Sequence, residues 1–195
     1  MFLKSLNPAD VKDVALAVRL YCEDPSYSLQ TFGRLPDTES SAEIIRACPV
    51  GCLPEDRLAF AAFDKADPVA LLRVLRRWPE PEIATIGLLL VSPRDRRRHL
   101  GCQIVEQLSR KARNWAGIRR WRIVVLEVNQ SALQFWRHLG FDVVREGQSK
   151  PDLKSTLTVM EREIKHRPFC QRPGHQPRQE LAGKASWLSA RLPRP

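Results

Sequence analysis

TIGLLLVSPRDRRRHLGCQIVEQLSRKARNWAGIRRWRIVVLEVNQSALQFWRHLGF, residues 85–141, carries most of what this chain discloses about its fold. Thr85 to Val91 is an apolar run of strand length, and Trp121 to Val128 is a second. Between them Ile104, Leu108, Ala112 and Trp115 recur every three or four residues, the stripe of a helix over Leu100–Ala116. A shorter helix follows Asn129 and ends at Leu139. Gly117 and Gly140 stand where left-handed C-caps are expected. The first strand enters the helix through SPRDRRRHLGC, residues 92–102. A helix start leaves backbone N–H groups unpaired, and the helix dipole adds partial positive charge there. That is an anion site, and Arg94, Arg96, Arg97 and Arg98 deepen it. Crowded together, these arginines repel by roughly a kcal/mol per adjacent pair at surface dielectric, which an anionic ligand relieves.

The order strand, phosphate turn, helix, strand, Asn-x-x-Ala helix resembles the GNAT family of acyl-CoA N-acyltransferases. The family's phosphate signature is Arg/Gln-x-x-Gly-x-Gly/Ala after a strand ending Val-x-Pro. Here Val91-Ser-Pro93 precedes Arg96-Arg-Arg-His99-Leu-Gly101, so Arg96 and Gly101 match and His99 replaces the middle glycine. The family's second signature is Asn-x-x-Ala, an aromatic, then Gly-Phe. Asn129, Ala132, Phe135-Trp136 and Gly140-Phe141 reproduce it at the expected spacing. RRWPEPEIATIGLLLV, residues 76–91, is similar to bacterial members with a Pro-Glu-Pro turn before the central strand. The resemblance covers residues 1–164. It implies an α/β GNAT fold: a mixed, mainly antiparallel central sheet flanked by helices, followed by a basic C-terminal tail from Lys165.

The resemblance also implies acetyl-CoA as cosubstrate and assigns its contacts. The turn would cradle the pyrophosphate through Arg96, Arg97, Arg98, His99, Leu100, Gly101 and Cys102, chiefly by backbone amides from Arg97 onward. A bulky residue at Gly101 is expected to block that approach. The two central strands would splay apart so that backbone groups of Leu89, Leu90 and Val91 meet the acyl carbonyl and pantetheine. Asn129 would lie beside the pantetheine arm, although by itself it reads equally as a helix N-cap. His99 keeps an N–H donor but restricts geometry that glycine allows, so it either contacts phosphate or is simply tolerated. Trp136 stands where the family commonly has tyrosine. Its indole donates a hydrogen bond but is no usable acid, so solvent must protonate the CoA thiolate. The amine needs a proton acceptor, and Glu127 is the first candidate, with Glu80 and Glu82 behind it.

The rest of the chain bounds the reading. At 195 residues it can hold one buried domain and an appendage. With 43% apolar and 28% charged residues it reads as globular. No amino-terminal signal or membrane-length apolar run appears, so a cytoplasmic protein with no membrane contact is expected. Cys22, Cys48, Cys52, Cys102 and Cys170 are scattered and odd in number, which predicts free thiols. Phe2–Asn7 reads as a first strand, Val11–Tyr21 as a helix, and Ala42–Ala47 as a second helix capped by Asp37 or Ser40. The segment from Glu23 to Pro54 is otherwise irregular, and Pro25 and Pro36 interrupt it. Arg57–Phe63 and Val69–Arg76 read as a hairpin, and Phe141–Arg145 and Ser155–Ile164 as closing strands. From Lys165, seven basic residues (Lys165, Arg167, Arg172, Arg178, Lys184, Arg191, Arg194) face Glu180 alone, about +6 of the net +10. Pro and Arg dominate this tail, which predicts disorder over 165–195. His166, Cys170 and His175 lack a fourth ligand, so no metal is expected.

The resemblance implies direct acetyl transfer to a primary amine of a small molecule, peptide or protein, with no covalent enzyme intermediate. One alternative keeps the fold and drops the chemistry, leaving an acyl-CoA-binding sensor or partner-binding protein; Trp136 and His99 feed it. Another takes the tail as a non-specific nucleic-acid contact, though no nucleic-acid-binding motif accompanies it. A homodimer is left open.

Overall fold

The computed structural model describes residues 1–149 and 155–164. The basic tail, with His166, Cys170 and His175, lies outside the described residues, and so does the proposed boundary at Lys165. Seven strands form one sheet: β1 (Phe2–Ser5), β2 (Arg57–Asp64), β3 (Asp67–Arg76), β4 (Ile83–Val91), β5 (Arg120–Leu126), β6 (Asp142–Gln148) and β7 (Leu157–Glu163). Five helices accompany them: α1 (Val11–Cys22), α2 (Ser26–Phe32), α3 (Thr38–Arg46), α4 (Leu100–Ala112) and α5 (Gln130–His138). The sheet order is β1-β2-β3-β4-β5-β7-β6. Every neighbouring pair is antiparallel except β4 and β5, which run parallel. This is the mixed, mainly antiparallel sheet that the sequence predicts.

Parallel neighbours need a long crossover, and α4 supplies it. Its stripe of Ile104, Leu108 and Ala112 is sealed against the sheet, at most 1% exposed. Across the interface lie Trp121, Ile123 and Val125 of β5 and Ala84 and Ile86 of β4. Trp121 donates its indole N–H to Ser109 Oγ at 3.1 Å, so the largest core side chain leaves no polar atom stranded. The other face of β2–β4 holds a second core, where Ala59, Ala61, Leu71 and Leu88 meet Ala17, Leu20 and Tyr21 of α1 and Ile45 of α3. Helices on both faces of one sheet therefore divide the interior into two cores.

Three boundaries differ from the sequence reading. Pro25 does not break the segment after α1 but starts α2, as its N-cap with φ −68°. Gly33, left-handed at φ 72°, stops the same helix. Proline punctuates both helix starts and helix ends, and here it is a start. The third helix begins at Thr38 rather than Ala42. The long helix α4 ends at Ala112, and Trp115 beyond it packs edge-on against Trp121 at 5.8 Å.

Candidate active site

The central pair β4 and β5 stays joined only from Ile83–Arg120 to Ile86–Ile123. Beyond that point β4 continues beside β3 as far as Val91, and β5 continues beside β7 as far as Leu126. The two strands have parted, and each leaves one row of backbone groups facing the gap. A bulge helps to part them. Val74 pairs with Ile86 and Arg73 with Leu88, so Gly87 is the extra residue on β4. The bulge also changes which face each leucine takes. Leu88 and Leu90 pack on the α1–α3 side, while Leu89 and Val91 pack on the α4 side. The sequence signal was a lone glycine inside an apolar strand, a known mark of a bulge.

The gap opens into a cleft of about 1070 Å³. Leu89, Leu90 and Val91 line one wall, Asn129 and Trp136 the other, and Arg96, Arg97, His99, Leu100, Gly101 and Cys102 the end at α4. The structure thus brings together every expected cofactor contact except Arg98, which points elsewhere. Tyr27, Thr31 and Phe32 also line it, from α2, a helix absent from the sequence reading.

At the α4 end the chain is shaped as an anion cradle. Arg97 and His99 are both left-handed, at φ 61° and 59°. His99 is the residue before α4 and adopts the conformation that the family's glycine supplies without strain. No side chain caps the helix, so the first-turn amides are left for another acceptor. Gly101 has a further reason to be glycine beside the expected approach to pyrophosphate. A Cβ there would lie 3.0 Å from Phe135 Cζ and 3.1 Å from Cε2, so a side chain at 101 would require that ring to shift.

The arginine cluster is less self-repelling than its sequence predicts. Asp95, only 7% exposed, sits among the arginines and ties down two of them. It accepts from Arg98 at 2.5 Å and from Arg94 at 3.3 Å, and Arg98 also reaches Asp64 at 3.1 Å. Arg96 donates to the Val91 carbonyl at 3.1 Å and pairs with Asp24. Burial raises the Asp24 pKa, but hydrogen bonds from Ser26 and Arg96 outweigh it and hold the carboxyl below its ordinary range. Arg97 has no ion-pair partner among the described residues. Asp24 and Asp95 escaped the sequence reading, although an aspartate inside Arg-Asp-Arg-Arg-Arg is a signal of its own.

On the opposite wall, Asn129 serves as the N-cap of α5. Its Oδ1 accepts from the Ala132 amide at 3.1 Å and from Ser131 Oγ at 3.0 Å. That leaves its NH₂ without a partner among the described residues, and Asn129 lines the cleft. Trp136 is 7% exposed and wedged between Phe135 and Phe141, with ring centroids 4.9 and 5.0 Å away. Gly140, at φ 76°, closes α5: its N–H reaches the Arg137 carbonyl at 2.8 Å, and that of Phe141 reaches Trp136 at 3.1 Å. This double closure fixes Phe141 against the indole.

The candidate bases lie elsewhere. Glu127 follows the end of β5 and is not among the cleft-lining residues. Its carboxylate accepts from Thr156 Oγ1 at 2.5 Å, the Gly147 amide at 2.8 Å and Thr158 Oγ1 at 3.4 Å. The Thr156 and Gly147 bonds hold its pKa below the ordinary value. Glu80 and Glu82 join a network on the open face of β5, where Arg120 meets both, and Arg122 meets Glu80 and Glu161. Arg120 and Arg122 are therefore both ion-paired.

Comparison with known proteins agrees with this architecture. A profile described as the acetyltransferase (GNAT) family matches residues 19–141. An acetyltransferase from Thermus thermophilus is 31% identical, over 84% of this chain and 97% of that one, with a TM-score of 0.65. The ribosomal-protein-S18-alanine N-acetyltransferase of Escherichia coli is 17% identical, over 84% and 93%, with a TM-score of 0.59. A ribosomal L7/L12 alpha-N-protein acetyltransferase solved with coenzyme A is 16% identical, over 83% and 94%, at 0.65. No curated protein gives a significant match. The chain belongs to the GNAT acetyltransferase family, and its fold is that of an acyltransferase.

Proposed function

We propose that the protein transfers an acetyl group from acetyl-CoA to a primary amine by direct attack. The observation that carries this reading is the parting of β4 and β5 beyond Ile86 and Ile123, with the α4 amides at its mouth. An extended chain of amides ending in a pyrophosphate is complementary to both features. The first-turn amides, with Arg96, Arg97 and the turn at His99, take the pyrophosphate. The free edge of β4 at Leu89–Val91 takes the pantetheine amides, and its N–H groups polarise the thioester carbonyl as charge develops on oxygen. The Asn129 NH₂ serves the same arm from the other wall. Holding amine and thioester in line supplies much of the rate.

Proton handling follows from what each group already does. Trp136 has no acidic proton to give, so water protonates the departing thiolate. Glu127 is ionised but accepts three hydrogen bonds, and its lowered pKa makes it a weak proton acceptor. In this reading it anchors β6 and β7 to the end of β5, and water removes the ammonium proton. The acceptor enters past α2. Thiol release from acetyl-CoA, followed across a panel of amines and peptides, tests the proposal. An amine-dependent rate supports it; CoA binding without transfer to any amine leaves the sensor alternative.

A further inference from the structure

Outside the cleft, two thiols meet at the turn that leads from α3 towards β2. Pro49 to Cys52 reverses the chain. The Cys52 amide donates to the Pro49 carbonyl at 3.0 Å, and Gly51 is left-handed at φ 83°, as the third position of a type II turn requires. Cys48 and Cys52 flank this turn, and it folds them back on each other. The Cys48 thiol donates to the Cys52 carbonyl at 2.9 Å, and the two thiols are themselves in hydrogen-bond contact. Both are free and partly exposed, and Val50 at the tip of the turn is 99% exposed, so the turn is open to a small reagent. The other described thiols lack this arrangement: Cys22 faces Ser41 Oγ at 3.5 Å, and Cys102 is buried.

The surroundings make the two sulfurs unequal. Burial, then the hydrogen bond and the charge of Cys48, push the Cys52 pKa up to about 12. Cys52 is therefore protonated at neutral pH, which leaves Cys48 as the sulfur that can attack. Arg73 of β3 acts electrostatically on both. Burial lowers the Arg73 pKa, and charge on Tyr27, Cys48 and Cys52 raises it. Its guanidinium makes no ion pair among the described residues, and its Nε is sealed from solvent without a partner. A thiolate at Cys48 supplies the counter-ion that this arginine lacks, and a neighbouring arginine favours a thiolate in general. Part of the raised value at Cys52 is the work of Cys48, so that part vanishes once the Cys48 sulfur is bonded and uncharged. One sulfur is thus placed to attack and the other is released to attack afterwards.

We infer that Cys48 and Cys52 form a redox-active dithiol, closed to an intramolecular disulfide by exchange with a small disulfide such as glutathione disulfide. The Cys48 thiolate attacks one sulfur of the oxidant, forms a mixed disulfide and releases a thiolate, which takes up the proton that Cys48 gave to solvent. The Cys52 thiol then loses its proton, attacks the Cys48 sulfur and releases the second small thiol. Two protein thiols are oxidised, one small disulfide is reduced, and two small thiols leave. The ring closes around a turn that is already formed, so little chain entropy is lost in closing it. The Trp78 indole holds the same turn from outside, donating to the Val50 carbonyl at 3.1 Å. The new bond ties the end of α3 to the approach to β2.

The experiment equilibrates the reduced full-length protein in glutathione buffers of rising disulfide content. Samples are quenched with N-ethylmaleimide and read by intact mass and peptide mapping. The expected result is loss of two alkylatable thiols with no glutathione retained, mapped to one bond between Cys48 and Cys52. That bond should form at a glutathione disulfide concentration at least about tenfold below the one that modifies exposed Cys22. Cys48 and Cys52 still alkylatable where Cys22 is modified, or a bond from either to another cysteine, would overturn the pair.

Single variants test the order of attack. Cys52→Ser should trap glutathione on Cys48, because no second sulfur resolves the mixed disulfide. Cys48→Ser should take up glutathione on Cys52 at least about tenfold more slowly at neutral pH, because burial still holds that thiol protonated. Equal rates in the two variants would overturn Cys48 as the attacking sulfur. The wild-type titration decides the bond by itself should either variant fold poorly. All of these readouts are masses, so they stand apart from the acetyl-transfer reading.

Discussion

Gly101→Ala separates the two reasons for a glycine in the phosphate turn. The added Cβ would lie 3.0 Å from Phe135 Cζ and 3.1 Å from Cε2, while ordinary carbon contacts begin near 3.5 Å. The ring would have to retreat by about half an ångström. It cannot do so freely, because it rests on Trp136, which rests on Phe141, and the latter two are 7% and 2% exposed. Overpacking of this kind costs about 1–3 kcal/mol. Replacing a helical glycine by alanine returns up to about 1 kcal/mol, and less than that in a first turn. The net loss is about 1–2 kcal/mol, or roughly 2–8 °C in melting temperature for a domain of this size. The amide at position 101 is unchanged, so CoA affinity should fall by less than about tenfold, through a shifted α4 rather than a lost donor. Thermal unfolding of Gly101→Ala, Phe135→Leu and the double variant forms a cycle. A smaller ring should relieve the clash, giving a coupling of about 1 kcal/mol. Additive effects, or a Gly101→Ala variant as stable as wild type, would refute the contact with Phe135 as the constraint. A large loss of CoA affinity without loss of stability would return the residue to the pyrophosphate.

Three further variants test separate parts of the site. His99→Gly relieves a left-handed L-residue worth about 1–2 kcal/mol, partly offset by the looser unfolded chain, so the melting temperature should rise by about 1–3 °C; a fall, or a tenfold loss of CoA affinity, would show that the imidazole itself contacts phosphate. Glu127→Gln should lower turnover by less than about tenfold and leave the pH–rate profile unchanged, whereas a hundredfold loss that recovers at high pH would make Glu127 the base. The same carboxyl has a folded pKa below 4.5, so the stability it contributes is present at neutral pH and disappears as pH falls through the folded value. Thermal melts of the two proteins should therefore converge in acid, and a gap that persists there would deny the linkage. Trp136→Phe removes an indole N–H that has no partner among the described residues, so turnover should stay within about tenfold; a thousandfold loss would mean that the indole does chemistry.

Features that belong to one segment were legible in the sequence. The stripe of α4, the turn before it and the aromatic pair of α5 each follow from spacing along a single stretch. Features that depend on two distant segments were not. Asp24 meets Arg96 across 72 positions, and Glu127 meets Thr156 and Thr158 across 29 and 31. No local period records such pairings, so neither the neutralised arginines nor the hydrogen bonds on Glu127 follow from the sequence. The second helix was missed for another reason. Ser26 to Phe32 is too short to show a period, and a proline at its opening reads equally as a stop. The bulge at Gly87 has one local mark, a lone glycine inside an apolar strand.

The parted strands also decide what can intrude. A sheet edge at the rim of a protein invites any neighbouring chain to add on, with aggregation as the hazard. The free rows of β4 and β5 are edges of another kind, because each belongs to a strand paired on its far side and both lie inside the sheet. Anything that pairs with them has to be slender, extended and end-on, with amides at roughly peptide spacing. A folded protein's strand, flanked by its own neighbours, is too wide to enter. The interruption of the sheet is therefore a filter, open to a thread and closed to a ribbon.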